Sequence, residues 1–206
     1  MKKAIVTFFA ALIAASALMA QTTDEILEKM NKEMDRFDSE GVSMVMDMKL
    51  PLLGTFSTQM FLRGDKYKAM LNVKGETSMT WSDGITDWDY DVSKNEITIK
   101  NAKRSGTASD NMKTLDGVTE GYDVKLKKET DDAWYFRCTK SKTNTKKDDP
   151  KKMDLVVSKT TYLPISTSVS EKMVTVTMRD FAIGVSEETV TFDPSKYPNA
   201  TIIDQR

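Results

Sequence analysis

The segment DWDYD, residues 87–91, places three carboxylates at alternate positions of the chain. Carboxylates bind Ca²⁺ and act as general acids and bases, so this segment could carry chemistry. An EF-hand loop that begins at Asp87 requires glycine at its sixth position and glutamate at its twelfth. Those positions hold Val92 and Thr98, so the sequence does not predict a calcium loop here.

The same segment fits an ordinary β-strand. Alternate side chains of an extended strand point to opposite faces, which puts the three aspartates on one face and Trp88 and Tyr90 on the other. Turn-forming residues flank the segment at 82–84 and 93–95. We therefore expect the aspartates to face water and the aromatic side chains to lie in the core or to line a binding site.

The sequence offers little for nucleophilic or metal-dependent catalysis. It has no histidine, which excludes serine–histidine and cysteine–histidine pairs and histidine-ligated zinc. Cys138 shares strand parity with Trp134 and Phe136, which predicts a buried, unreactive thiol. Hydrolysis by a carboxylate pair stays formally open, but no spacing of the acidic residues favours it. We expect neither an enzyme nor a metal or cofactor site.

The first 20 residues have the pattern of a secretory signal peptide. Lys2 and Lys3 precede an apolar run from Ala4 to Ala17, and small residues lead to a cleavage site before Gln21. A membrane anchor is the alternative, but the apolar run is shorter than the roughly 20 residues that a span needs. We expect a soluble protein exported to the periplasm.

The mature chain, residues 21–206, is predicted to form one monomeric domain. Removing 20 of the 206 residues leaves 186, enough for a substantial core, and no repeat or linker divides them. Basic residues fall from 30 to 28 against 31 acidic ones, so the net charge is −3. This balance gives no electrostatic reason to expect nucleic acid as a partner.

The spacing of apolar residues predicts one helix followed by many strands. Within 22–38 they recur at helical spacing, and Thr22 with Glu25 fits a capping box. From residue 42 the period changes to two over about a dozen short segments, the first being 42–50 and the last 188–192. Such a series predicts an antiparallel meander that is closed or half-closed into a barrel.

Residues 106–121 interrupt the series of strands. They carry apolar residues at helical spacing, among them Met112 and Leu115, and glycines bracket them. This pattern predicts a short inserted helix. Its apolar stripe needs a surface to pack on, and we expect that surface to be the concave face of the sheet.

Methionine is frequent, with 14 residues in the chain. Met44, Met46 and Met48 share one face of the first strand, and Met60 lies in the second. Flexible thioether side chains suit a surface that accepts ligands of variable shape, although an ordinary methionine-rich core has the same composition. A half-barrel too wide to be filled by its own side chains would leave a lipid-sized cavity.

Two stretches resemble the periplasmic outer-membrane lipoprotein carrier proteins (LolA). In SDGITDWDYDVSKNEIT, residues 82–98, a Ser-Asp-Gly turn leads into a strand with Trp and Tyr two apart, and a turn and another strand follow. The ending VTFDPSKYPNATIIDQR, residues 190–206, resembles the C-terminal end of that family. The order of elements agrees as well: signal peptide, N-terminal helix, strands, a helical insertion and further strands.

The resemblance implies an open, strongly curved antiparallel sheet, covered by the N-terminal helix and an inserted helical lid, with an apolar cavity for lipoprotein acyl chains. It also implies a shuttle from an inner-membrane lipoprotein-releasing complex to an outer-membrane receptor. The residues that we expect to line the cavity are Met44, Met46, Met48, Met60, Trp88, Tyr90, Met112 and Leu115.

The first long strand departs from the pattern of the family. Members can carry an arginine there that hydrogen-bonds to the lid, whereas residues 42–50 hold only Lys49 as a cation, on the parity opposite to the methionines. We therefore assign no latch residue. Two other functions stay open on this fold: an envelope-stress sensor or regulatory module, and a carrier of another lipid. The parity of the strands also leaves open which face lines the cavity.

Overall fold

The computed structural model describes residues 21–73, 75–102, 118–147 and 149–206. Within these residues the chain forms a sheet of 12 strands, numbered β1 to β12 in chain order. Their bounds are Val42–Leu50, Gly54–Arg63, Lys66–Val73, Glu76–Ser82, Thr86–Asp91, Glu96–Asn101, Tyr122–Glu129, Ala133–Lys140, Lys152–Ser158, Pro164–Glu171, Val174–Ile183 and Thr201–Asp204. Their order across the sheet is β12-β6-β5-β4-β3-β2-β1-β11-β10-β9-β8-β7, and only β12 runs parallel to its neighbour, β6, in this described part of the chain.

The sheet is open. β7 and β12 are its edge strands, and no pairing between described residues joins them into a barrel. Because neighbouring strands are rotated by roughly 20° to each other, a sheet this wide curls. Residues of β2 and β8, which are five positions apart in the sheet, belong to one buried cluster, as a curled sheet allows. The predicted open, curved antiparallel sheet is confirmed.

Two helices precede β1. They are α1, Thr23–Met34, and α2, Arg36–Glu40, where one continuous helix was predicted. The Thr22 hydroxyl accepts a hydrogen bond from the Glu25 N–H at 3.2 Å, and the Glu25 carboxylate accepts one from the Thr22 N–H at 3.0 Å. This reciprocal pair is the predicted capping box, and it satisfies backbone donors that the first turn would leave unpaired.

Gly41 ends α2 and turns the chain into β1. Its φ of 78° lies in the left-handed region that favours glycine. A Cβ atom there would lie 2.8 Å from the carbonyl oxygen of Leu62 and 2.9 Å from the Cβ of Val185. The Arg63 guanidinium donates to the carbonyl oxygens of Glu40, at 3.0 Å, and Val185, at 2.7 Å. The helices are thus fixed tightly to the start of the sheet.

The strand register separates two faces of the sheet. Residues directly opposite each other on paired antiparallel strands project to the same side. Met44 lies opposite Met60, and Met46 lies opposite both Thr58 and Met178. We call the side that carries these five residues the methionine face. The helix α1 packs against this face, so the sheet has its larger core there.

The C-terminal segment differs from the prediction. Residues 188–192 alternate like a strand, but Ser186 caps a short helix, α3, Glu187–Val190, by accepting a hydrogen bond from the Thr189 N–H at 3.3 Å. A 3₁₀ turn, Pro194–Lys196, follows, and β12 comes after it. The strand prediction for 188–192 is therefore wrong, because the local cap outweighs the alternation.

Of the predicted inserted helix, 106–121, residues 106–117 lie outside the described residues, and Met112 and Leu115 are among them.

Candidate ligand-binding face

The helices α1 and α2 cover one end of the methionine face. Their buried side chains are Ile26, Met30, Met34 and Phe37. These pack on residues of β1, β2, β8 and β9, which are Val42, Met44, Leu62, Trp134, Phe136, Cys138, Met153, Leu155 and Val157. At about 2 kcal/mol for each fully buried side chain, this packing rather than intrinsic propensity holds such short helices in place. This end of the face is core.

Burial along β1 falls with distance from the helices. Val42 and Met44 are 0% and 4% exposed, Met46 is partly exposed, and Met48 is 38% exposed. All four lie on the methionine face, so the apolar lining continues beyond the helices that cover its first part.

The neighbouring strands extend this part of the lining, which α1 and α2 do not cover. Phe56 and Val176 lie opposite Met48 from either side, and Leu71 lies opposite Thr58. We call this region the open half of the methionine face. Its residues are Met46, Met48, Phe56, Thr58, Leu71, Val73, Val174 and Val176, and each is partly or mostly exposed.

The open half is suited to apolar ligands. On these stretches of β1, β2, β3 and β11 the methionine face carries no charged side chain, and Thr58 is its one polar residue. Burying methylene groups against such a surface is favourable and non-directional. The thioethers of Met46 and Met48 can also adjust to ligands of different shape.

The structure brings four of the predicted lining residues together. Met44, Met46, Met48 and Met60 share the methionine face, with Met44 inside the core and Met48 in the open half. Met60 is partly buried and packs against the core cluster from β2. The methionines predicted from alternation in the first two strands thus lie side by side.

Trp88 and Tyr90 do not share that face, contrary to the expectation of one common lining. Across successive strands, Met60 lies opposite Ala69, Ala69 lies opposite Thr80, and Thr80 lies opposite Asp89. Asp89 therefore lies on the methionine face, and Trp88 and Tyr90 project to the opposite side of the sheet. Alternation gave the correct parity within the strand, but it could not relate that parity to β1, three strands away.

On the opposite face, Trp88 and Tyr90 belong to a second core. Trp88 stacks on Phe192 with ring centroids 5.3 Å apart, and Tyr90 packs on Tyr197 at 4.8 Å. Trp81 contacts both Phe192 and Tyr197 edge-on, at 5.5 and 5.7 Å. This aromatic cluster fixes the C-terminal segment that follows β11 to the sheet. The cluster brings the Trp and Tyr motif into contact with the C-terminal motif.

Two of the three aspartates of DWDYD, Asp89 and Asp91, make separate polar contacts. Asp89 accepts a hydrogen bond from the Thr80 hydroxyl at 2.8 Å and forms an ion pair with Lys100 at 3.1 Å. Asp91 caps the next turn and pairs with Lys94 at 2.8 Å, and hydrogen bonds from Lys94 and then Ser93 lower the pKa of its carboxyl. Within the described residues, no three His, Cys, Asp or Glu side chains converge as a metal site.

Cys138 lies inside the core of the methionine face and is 0% exposed. Burial, and to a smaller extent the nearby Asp154 carboxylate, raises the pKa of its thiol to about 11. A neutral thiol without access to solvent is a poor nucleophile. The structure therefore places Cys138 as a packing residue.

Phe56, Leu71 and Val176 were not predicted as lining residues. Phe56 does share strand parity with Met60, so alternation in 55–63 held a usable signal. The sequence held no such signal for Leu71 and Val176. Leu71 comes near β1 only because β3 pairs with β2, and Val176 only because β11 pairs with β1.

No helix in the described ranges is both long and apolar enough to cross a membrane. No family model matches the chain, and no curated protein matches it. Solved structures do. LprF from Mycobacterium bovis matches with a TM-score of 0.53 and 10% identity, over 82% of this chain and 95% of that one.

An uncharacterized conserved protein from Thermus thermophilus matches with a TM-score of 0.50 and 13% identity, over 90% of this chain and 100% of that one. A LolA superfamily protein from Nitrosomonas europaea is also among the matches, with a TM-score of 0.35 and 14% identity, over 84% and 99% of the two chains. The likeness to the Mycobacterium bovis and Thermus thermophilus structures, with TM-scores of 0.53 and 0.50, is one of fold alone.

Proposed function

We propose that this protein is a periplasmic carrier that shields the acyl chains of lipoproteins on the open half of its methionine face and shuttles them from the inner to the outer membrane. The observation that carries the proposal is the apolar lining that continues past α1 from Met44 to Met46 and Met48. A core needs its apolar residues covered, whereas this lining stays partly exposed.

The energetics favour a lipid as the ligand. Hiding an acyl chain of about 16 carbons from water contributes roughly 12 kcal/mol at about 0.8 kcal/mol for each methylene. A carrier must supply most of this stabilisation and still release its cargo. A curved, partly covered face does so because the chain can leave through the end that α1 and α2 do not cover, without unfolding the core under α1.

The resemblance to the LolA family supplies the route within this proposal. It suggests an inner-membrane lipoprotein-releasing complex as donor and an outer-membrane receptor as acceptor. Binding alone accounts for such a role, and no catalytic group is required. A carrier of a different lipid would use the same open half.

Mass spectrometry of the protein isolated gently from its own periplasm tests the proposal. We expect acylated lipoproteins bound one to one. If only free lipids are bound, the cargo is a general lipid and not a lipoprotein. The carrier function would be contradicted if the isolated protein holds no acyl ligand and also fails to bind a labelled fatty acid in solution.

A further inference from the structure

Two hairpin turns next to each other expose large apolar side chains. Leu52 is fully exposed in the β1–β2 turn and Leu53 is 67% exposed, while Met173 in the β10–β11 turn is 73% exposed. We call these three residues the apolar tip. Single exposed apolar residues are ordinary, but several large ones exposed together on adjacent turns mark a candidate interaction site.

The register brings the two turns together. Lys49 of β1 lies opposite Thr175 of β11, so the chain segments that follow and precede them, 51–53 and 172–173, are neighbours. The apolar tip lies at the end of the strands where the open half is found, since Met48 and Val174 are the adjoining residues of the methionine face. The tip therefore stands at the mouth of the candidate site.

Leu52 occupies a backbone conformation that rarely holds leucine. Its φ is 66°, in the left-handed region where turns prefer glycine, asparagine or aspartate. A residue with a polar or absent side chain would fit this turn with less strain and no exposed apolar surface.

Lysines are frequent at the end of the sheet where the tip lies, and Lys49 and Lys172 lie beside the tip in sequence. The turns 51–53, 92–95, 141–151 and 172–173 all lie at the same end of the sheet, because the strands that they join pair there. The lysines in or beside them, within the described residues, are Lys49, Lys94, Lys140, Lys142, Lys146, Lys147, Lys151, Lys152 and Lys172. The acidic residues at this end, in the same ranges, are Glu76, Asp91, Glu96, Glu120, Asp149 and Glu171. Cations thus predominate here, although the mature chain as a whole is acidic.

We propose that the apolar tip docks on the surface of an anionic phospholipid bilayer. Leu52, Leu53 and Met173 enter the interface between headgroups and acyl chains, and the lysines contact the anionic headgroups. A bilayer fits better than a second copy of the chain, because two such lysine-rich ends would repel each other. This docking turns the mouth of the open half toward the lipid.

The inference stands apart from the cargo that the protein carries. It concerns the tip, and the proposed carrier function concerns the open half, so the two fail separately. A fatty acid titration in solution reports on the open half, and binding to vesicles reports on the tip.

Vesicle sedimentation tests the docking directly. Vesicles of 30% phosphatidylglycerol in phosphatidylcholine are titrated against the exported protein and against the double variant Leu52→Ser/Leu53→Ser. We expect the partition coefficient of the double variant to fall by at least about tenfold. It should also fall for the wild type when salt is raised from low to about 0.5 M, because screening weakens the contribution of the lysines.

A matched control comes from the other end of the sheet. Ile85 is 76% exposed in the β4–β5 turn, so Ile85→Ser removes a similar exposed apolar surface far from the tip. We expect no change in vesicle binding for this variant. Equal binding by the wild type and the tip variant, or an equal loss with Ile85→Ser, would overturn the proposal. So would sedimentation velocity that shows a dimer lost with the tip leucines.

A site-specific probe adds a second readout. Because Cys138 is fully buried, a cysteine introduced by Leu53→Cys can be labelled selectively with an environment-sensitive dye. We expect a blue shift of its emission on anionic vesicles, and none for the same dye at Ile85→Cys. The absence of a shift at residue 53 while the protein sediments with vesicles would contradict insertion of the tip.

Discussion

The most informative perturbation of the candidate site is Met46→Glu. Met46 lies on the methionine face where the cover of α1 ends, opposite Thr58 and Met178. A carboxylate there would point into the surface on which we place the acyl chain. The apolar ligand would then lose its thioether contact and would force an ionised group out of water.

The expected effect follows from two terms. Losing a buried methionine contact costs about 1.5–3 kcal/mol, and leaving a polar group unpaired against an acyl chain costs about 1–3 kcal/mol. A combined loss of about 3 kcal/mol or more raises Kd at least roughly a hundredfold. Folding should suffer less, because Met46 is partly exposed in the free protein and its carboxylate can reach solvent there.

Titration of a fluorescent fatty acid into a protein that comprises residues 21–206 measures Kd directly. Gln59→Glu is the matched control, since Gln59 is an exposed residue of the neighbouring strand β2 and lies opposite Val45 on the other face. It adds the same negative charge about one strand away without touching the methionine face. Urea unfolding of both variants establishes that each is folded under the conditions of the titration.

The reasoning predicts a large rise in Kd for Met46→Glu and nearly unchanged binding for Gln59→Glu. Wild-type affinity in a folded Met46→Glu variant would refute the assignment of the open half. Loss of binding in Gln59→Glu alone would move the ligand to the opposite face of the sheet.

Three further predictions concern the framework of the site. Phe192→Ala should lower the free energy of unfolding by about 2–3 kcal/mol, because it opens the aromatic cluster, yet leave the Kd for fatty acid unchanged; a matching loss of affinity would make that cluster part of the site. Gly41→Ala should lower the free energy of unfolding in urea by about 2–4 kcal/mol, because the new Cβ would meet a backbone oxygen at 2.8 Å. Gly64→Ala, with open space around it, should lower it by about 1 kcal/mol. Equal losses would contradict the packing at the α2–β1 junction. Hydrogen bonds from Arg179 and Ser57 lower the pKa of Asp47. The stabilisation that its carboxylate provides is therefore present above pH about 4 and is lost as the pH falls through the lowered pKa. The difference in free energy of unfolding between the wild type and Asp47→Asn should shrink from pH 5 to pH 2, and a constant difference would refute the ion pair.

Local patterns in the sequence predicted most of the elements. The capping box at Thr22 and the helical spacing that follows it lie within a few consecutive residues, so local hydrogen bonds and one apolar stripe specify the helices. Alternation likewise gave β1 and β5 with the correct parity, because successive side chains of a strand must point to opposite sides. Where a local hydrogen bond competes with alternation, as at Ser186, the strand prediction failed.

Only the tertiary structure decided which residues share a surface. Met48 and Trp88 each sit on the apolar side of a strand, yet the register through β2, β3 and β4 places them on opposite faces of the sheet. The apolar side changes across the sheet because α1 covers one face at β1 while the segment around Phe192 covers the other face at β5. A strand's own sequence records that one side is buried but not what buries it, since the covering element lies far away in the chain and is fixed only when the sheet has assembled.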